Sequence, residues 1–388
     1  MSLFDSDETF IGEDTFGKIS DAPLNEFKPW HKPRKQLIRD KQWLEQFLRL
    51  LRGKAYRNID VVNYFGLPGG DLLDVNYIFD SVIKRTSKAE GKKFGFHGFI
   101  NNDIDHKKAQ AELTKLLDKE YIDQRSKIDQ FRFEDLKLKS STAWARVENF
   151  GIYHFINLDF CNNVLSPETL VSILYLLKHQ INRIADMPWL LCITTRLNKE
   201  SAKEDIIVRF NKILHEYLGT SLLKVKIKEC FSLVDSYIAE KADITTVESK
   251  EVMNQLLQIC LVMWILKESI DNNCSVKLKS SFKYSVNLYN READMHSYVF
   301  SFEKKTKKDD LLGILPESKQ ENVDLDFEHN AIQAIETLSQ SWDIDSYLDD
   351  NKDVLNHYAM EMIELLKKCS YDTESYKEVM TSKFGYIF

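Results

Sequence analysis

The run Val61-Val62-Asn63-Tyr64-Phe65-Gly66-Leu67-Pro68-Gly69-Gly70-Asp71 constrains the fold of this chain more than any other. A β-branched and aromatic segment enters a turn rich in Pro and Gly, and a helical pattern follows from Asp71 to Ile83. A strand that feeds a helix through such a turn opens a crevice at its carboxyl end. Glycines let the backbone pass close to a ligand there, and the start of the helix offers free amide donors.

The alternation continues along the chain. Strand-like runs lie at 59–65, 93–100, 153–160 and 189–195, with a weaker one at 130–133. Between them, Ala109, Leu113, Leu116 and Leu117 form a helical stripe. Leu170, Leu174, Leu177, Ile181 and Ile184 form another, opened by Ser166 as N-cap and Pro167 at the first helical position. Phe210, Ile213, Leu214 and Tyr217 give a third, stopped by Gly219. Later, Val276, Leu278, Phe282, Tyr284, Val286 and Leu288 fall at even positions, and after a polar loop at 290–292 the alternation resumes at Tyr298, Phe300 and Phe302. This order predicts an α/β fold with a Rossmann-like, mostly parallel sheet covered on both faces and ending in an antiparallel hairpin. Residues 27–303 form that domain. A flexible acidic tail (1–26) precedes it, and a charged linker (304–323) and an appended helical C-terminal segment (324–388) follow.

With 388 residues, 43% of them hydrophobic, the chain can bury one large core or two smaller ones. A net charge of -7 excludes a polycation that coats nucleic acid, though not a local basic patch. The six cysteines are widely spaced with no C-x-x-C pair, which argues against a zinc ribbon or dithiol redox motif and for a reducing, cytoplasmic setting. The nine histidines show no metal-ligand spacing, and no Walker loop, G-x-S-x-G or H-E-x-x-H is present. No metal site is expected. The longest apolar run, 259–266, is far short of the roughly 20 residues that span a bilayer. The amino terminus carries no secretory pattern.

Residues 28–41 reverse the sign of the tail. Lys28, Lys32, Arg34 and Lys35 surround Trp30, and two readings are open. The cations bind phosphates of a nucleic acid while Trp30 stacks on a base, or they solvate a helix start and pair with the acidic tail. Cations at a helix start oppose the macrodipole, which favours a use beyond solvation. The acidic tail and the C-terminal helices are the surfaces expected to meet a protein partner.

Parallel strands alternating with helices and closed by an antiparallel hairpin resemble class I S-adenosylmethionine-dependent methyltransferases over roughly residues 28–303. Where that family reads apolar-acidic-apolar-Gly-x-Gly-x-Gly, Asn63 stands in the acid's place, Phe65 and Leu67 replace two glycines, and Gly69 matches. The resemblance implies S-adenosylmethionine over Asn63, Gly66, Gly69, Gly70 and Asp71. Asp103 would bind the ribose hydroxyls and Asp135 would lie near the adenine. Asn157 and Asp159, at the end of the fourth strand, would align the acceptor. For the Leu67–Gly70 turn, the alternative is simple strand-to-helix geometry, favoured where Phe65 and Leu67 would crowd the cofactor. For Asp103 and Asp135 it is helix capping, and for Asn157 and Asp159 a capping network before Ser166. The basic segment followed by Leu-Pro-Gly and Asn-Leu-Asp also looks like bacterial proteins that accompany mobile-element or phage-defence genes. The expected function is therefore a methyltransferase-like protein with a degraded cofactor motif, nucleic-acid-associated within a restriction or antiviral defence system. The alternative is a pseudoenzyme, an inactive scaffold subunit of a larger complex.

Overall fold

A computed structural model describes residues 26–85, 92–184, 187–200, 202–217, 221–239, 243–286, 293–304 and 319–386. The acidic tail before residue 26, Gly219, the loop at 290–292 and residues 305–318 of the linker lie outside the described residues.

The chain enters through a 3-10 turn (Pro29–His31) and a long helix in three stretches: α1 (Pro33–Ile38), a π-helical turn (Arg39–Leu44) and α2 (Glu45–Leu51). Then come β1 (Val61–Gly66), α3 (Leu73–Arg85), β2 (Lys93–Phe99), α4 (Asp103–Leu117) and β3 (Lys127–Asp129). They are followed by α5 (Thr142–Phe150), β4 (Phe155–Asn163), α6 (Pro167–Arg183) and β5 (Trp189–Arg196). The helices α7 (Glu204–Tyr217), α8 (Ser221–Cys230), α9 (Ser232–Ala239) and α10 (Lys250–Asp271) precede the hairpin of β6 (Cys274–Tyr284) and β7 (Met295–Lys304). The chain closes with α11 (Lys319–Ser339), β8 (Trp342–Asp343), α12 (Ile344–Asp350), α13 (Lys352–Lys368) and α14 (Thr373–Phe384).

Among the described residues the strands form one sheet in the order β3-β2-β1-β4-β5-β7-β6-β8. The strands from β3 to β5 pair in parallel, and β7 inserts antiparallel to both neighbours. Five parallel strands with a reversed strand slotted between β5 and β6 make this a methyltransferase-like α/β fold. The plain dinucleotide-binding order has no such reversed strand. The expected weak strand at 130–133 begins earlier, at β3. Its residues lead instead into a 3-10 helix, Phe133–Lys137, because the Asp135 carboxylate accepts the Arg132 amide at 3.0 Å. A local side-chain bond replaces the ladder there.

Successive strand residues face opposite sides of the sheet. Phe65, Ile156 and Ile193 enter a core with α5, α6, α10 and α11. Tyr64, Phe155 and Cys192 enter a second core with the N-terminal helix, α3, α4 and the last helices. The N-cap expected for α6 is present, with the Ser166 hydroxyl accepting the Thr169 amide at 3.2 Å. The apolar run 259–266 sits buried inside α10. No helix among the described residues is long and apolar enough to cross a membrane.

The N-terminal helix is unusually polar for a buried element. Its polar side chains are bonded chiefly by distant parts of the chain. Gln42 donates to the Ser297 carbonyl at 2.8 Å, and Asp40 accepts from Tyr77 at 2.9 Å and from Tyr358 at 3.0 Å. Gln36 donates to Glu361 at 3.3 Å, and Tyr376 donates to the His31 carbonyl at 2.7 Å. The C-terminal helices thus clamp the first helix onto the sheet.

Candidate functional site

The carboxyl ends of β1, β2 and β4 and the loop after β3 surround a crevice of about 340 Å3. That is within the range of small-molecule sites, and it sits at the switch point between β1 and β4, where the connection from β1 runs to β2 over one face and that from β3 returns to β4 over the other. Leu67, Pro68 and Gly69 from the β1–α3 loop line it, with Asn101 and Asp105 after β2. Phe131, Arg132 and Glu134 follow β3, and Asp159 to Asn162 come from β4. Trp30 and Arg39 close it from the N-terminal segment.

The bulky residues Phe65 and Leu67 do not plug the space. Phe65 points into the opposite core, edge-on to Phe99 with ring centroids 5.2 Å apart, and is fully buried. Leu67 lines the crevice without filling it. The expectation that both would crowd a cofactor is therefore corrected for Phe65.

The glycines have separate roles. A Cβ on Gly69 would sit 3.6 Å from the Trp30 indole nitrogen, so this residue faces the crevice under Trp30. A Cβ on Gly70 would meet the Asp105 backbone at 3.1 Å, so Gly70 packs the loop against the start of α4. A Cβ on Gly66 would fall 2.6 Å from the Tyr64 ring, so that glycine serves strand packing. Leu72 then takes φ +48°, a left-handed conformation costly for a branched residue, to turn the loop into α3.

Five carboxylates line the crevice (Asp71, Asp74, Asp105, Glu134 and Asp159) against two guanidinium groups, Arg39 and Arg132. Three of the acids are tied from behind. Asp71 accepts from His31 at 2.9 Å and Lys108 at 2.5 Å. Burial opposes its charge, but those partners win and hold its carboxyl well below the usual range. Burial likewise pushes the His31 imidazole down despite Asp71. Asp74 pairs with Arg39. Asp159 pairs with Lys35 at 2.6 Å. Burial, reinforced by Asp74, lifts the Asp159 carboxyl above its ordinary value against the pull of Lys35 and Arg39. Burial would depress Lys35, but Asp159, Tyr284 and Asp74 outweigh it and keep the ammonium charged.

A smaller chamber of about 120 Å3 adjoins the crevice. Trp30, Asp159, Phe160 and Cys161 line both spaces. The smaller chamber is bounded by four cations (Lys32, Arg34, Lys35 and Arg196) and by Asp159 alone among acids.

Of the residues singled out in the sequence, Trp30, Gly69, Asp71 and Asp159 meet in the crevice. Others do not line it. The Asn63 side chain lies within the sheet and donates to the Ile152 carbonyl at 2.9 Å. Asn157 is buried beneath the floor, donating to the Tyr64 hydroxyl at 3.1 Å. Asp103 is exposed and pairs with Lys107 at 2.8 Å, while Asn102 caps α4. Asp135 is spent on its cap. Asn101 and Asp105 stand at the crevice where Asp103 was expected, and Glu134 where Asp135 was. The basic segment is also different from an exposed strip. Lys32, Arg34 and Lys35 are buried, and of these four cations only Lys28 carries an exposed charge, paired with Glu26.

Arg39 and Asp74 were not foreseen. Part of the signal was available: Lys35 and Arg39 are four apart and share a helix face, whereas Asp71 lies in the turn before α3 and Asp74 in its first turn.

Solved structures with a distant likeness include an rRNA methylase from Streptococcus thermophilus, with 10% identity over 73% of this chain and 100% of that chain at a TM-score of 0.31. The methyltransferase domain of bacterial CtHen1-C has 12% identity over 69% and 100%, at 0.34. A loganic acid methyltransferase with SAH has 10% identity over 74% and 99%, at 0.31. The fold assignment rests on the strand order rather than on these. No curated protein matches the chain. The model of the PP_RS20740-like family matches residues 24–381, most of the chain, and the protein belongs to that family.

Proposed function

We propose that the crevice binds S-adenosylmethionine and that the protein is a methyltransferase. The observation that carries this reading is an open, acid-rich crevice at the switch point of a methyltransferase-like sheet, with its glycine loop facing it at Gly69. S-adenosylmethionine supplies a methyl group on a positively charged sulfur. Carboxylates on the walls favour a ligand that carries positive charge.

Asn101, Asp105 and Glu134 would hold hydroxyl and amino groups: Asn101 offers a neutral amide, and Glu134 is tied only loosely, to exposed Arg132 at 3.7 Å and to the Thr169 hydroxyl at 3.2 Å. Phe99 and Phe131, with ring centroids 5.5 Å apart, offer apolar faces to a base. Trp30 covers Gly69 and keeps water from the floor. Asp159, at the junction of the two spaces, would orient the acceptor and accept its proton, with Lys35 fixing the carboxylate. Catalysis would come mainly from holding two reactants in line.

A second reading, a partner-binding subunit without methyl transfer, draws on two observations. Lys35 already engages the carboxylate best placed for chemistry. Leu222, Val225 and Leu233 of α8 and α9 are 61%, 55% and 50% exposed, an apolar surface suited to a partner.

Calorimetry with S-adenosylmethionine and S-adenosylhomocysteine tests the first reading. We expect saturable binding, weakened several-fold in Asp105→Ala and Glu134→Ala, both at solvent-accessible positions. Absence of heat from folded protein at high concentration would refute it. Cofactor binding without transfer to any acceptor would favour the second reading.

A further inference from the structure

We propose that the smaller chamber is an oxyanion site, in which Arg34 and Arg196 hold the carboxylate or phosphate group of the acceptor. The word acceptor rests on the methyltransferase reading; the anion site itself does not.

The Arg34 side chain is 2% exposed. One of its nitrogens reaches Asp345 at 3.0 Å and the group acts on the Tyr386 hydroxyl, yet Nε and Nη2 have no partner in hydrogen-bond geometry. Buried donors without partners are rare and costly, and a guanidinium has five donors in a fixed fork that matches an oxyanion. Arg196 repeats the pattern from β5. Its Nε is buried and makes no hydrogen bond, although Asp294 forms a loose ion pair with that same nitrogen at 3.5 Å. Two guanidinium groups with spare donors therefore border one small space.

The other charges do not fill this need. Lys35 is committed to Asp159. Lys32 donates to the Val286 carbonyl at 3.1 Å and lies over the Phe384 ring. Burial, with Arg34 beside it and Asp345 opposing, pushes the Lys32 ammonium down to about 8. Arg34 also borders a second hollow beside Asp345 and Tyr386, where Asp345 already supplies negative charge. Arg196 borders the chamber and not that hollow, so it separates the two spaces.

Size and position agree. The chamber's volume of about 120 Å3 exceeds the roughly 30 Å3 that one water occupies, and it accommodates a carboxylate or phosphate. Three of the four cations already face a carboxylate (Asp345, Asp159 and Asp294), so the spare guanidinium donors, rather than net charge, are what an oxyanion would satisfy. An acceptor anchored there would extend past Phe160 and Asp159 into the larger crevice, because these residues line both.

The test is titration of the cofactor-free, full-length protein with inorganic phosphate and separately with acetate, at constant ionic strength set by chloride. The readouts are heat and the melting temperature. Saturable binding of either anion is expected, with the tighter one naming the group. Binding should weaken by about tenfold in Arg196→Gln and in Arg34→Gln. Arg196 is half-buried, so its variant keeps the test valid if Arg34→Gln does not fold. S-adenosylhomocysteine affinity, measured on the same samples, should stay unchanged in Arg196→Gln. No saturable binding of either anion, or wild-type affinity in Arg196→Gln, would overturn the site. If the anion binds and S-adenosylhomocysteine does not, the oxyanion site stands and the methyltransferase reading falls. The opposite result removes the site and leaves that reading intact.

Discussion

Replacing Lys35 with Met removes a buried cation while keeping a stem of similar length. The ammonium lies 2.6 Å from the Asp159 carboxylate and 4.6 Å from the centre of the Trp43 ring. At an effective dielectric of about 20, that separation corresponds to roughly 6 kcal/mol of attraction. Much of it is offset by the desolvation of Lys35, which the variant no longer incurs. Removing one partner of a buried pair typically costs about 3–5 kcal/mol. Asp159 retains 17% of its side-chain exposure and borders the crevice, so water and protonation soften the loss. We therefore expect Lys35→Met to lose about 3 kcal/mol. The double variant Lys35→Met/Asp159→Asn should return to within about 1 kcal/mol of wild type, because no unpaired charge is left. Urea denaturation at pH 7 measures both against wild type. The pH dependence gives an independent check. Without Lys35, burial and Asp74 raise the Asp159 carboxyl further above its unfolded value near 3.9. The folded variant then binds more protons than the unfolded chain, so its stability rises as pH falls from 7 toward 5. A loss below about 1 kcal/mol, or a double variant no better than Lys35→Met, would refute the assignment of this pair as a coupled buried unit.

Asp71 is held below the usual carboxylate range, so its contribution is present at neutral pH and is lost as pH falls through and beyond about 4. Acid unfolding followed by fluorescence should accordingly be shallower in Asp71→Asn than in wild type, with about 1–3 kcal/mol less stability at pH 7. Gly66→Ala places a Cβ 2.6 Å from the Tyr64 ring and should cost about 1–3 kcal/mol in denaturant melts. Gly69→Val meets no such clash, since the first added atom lies 3.6 Å from Trp30. It should leave the melting temperature nearly unchanged while S-adenosylhomocysteine affinity drops at least about tenfold by calorimetry.

The α/β order, the hairpin and the position of the crevice were all readable from periodicity, because the sheet's residues repeat with period two and its covering helices with 3.6. Asp159 was readable as well, since an acid at the end of an apolar strand projects toward the crevice. What sequence order could not reveal was which of several neighbouring polar residues faces inward. Asn102 is better placed to cap α4 than to bind a ligand, and this turns Asp103 outward and brings Asp105 to the mouth. The basic segment misled for a related reason. Its composition reads as a solvated strip, but its carboxylate partners are far along the chain: Asp159 for Lys35 and Asp345 for Arg34. Pairing at such separations leaves no local signature.

The clasp between the first and last helices has a consequence for biosynthesis. The helix at 33–51 emerges from the ribosome well before the partners of Arg34 and Gln36, since Asp345 and Glu361 follow roughly 300 residues later. At typical translation speeds of about 5–20 residues per second, that delay is on the order of tens of seconds. Through that interval the amino-terminal helix is not yet clamped onto the sheet. The clasp thus forms late in synthesis, and the yield in a cell would depend on how well the waiting amino-terminal half is shielded from aggregation.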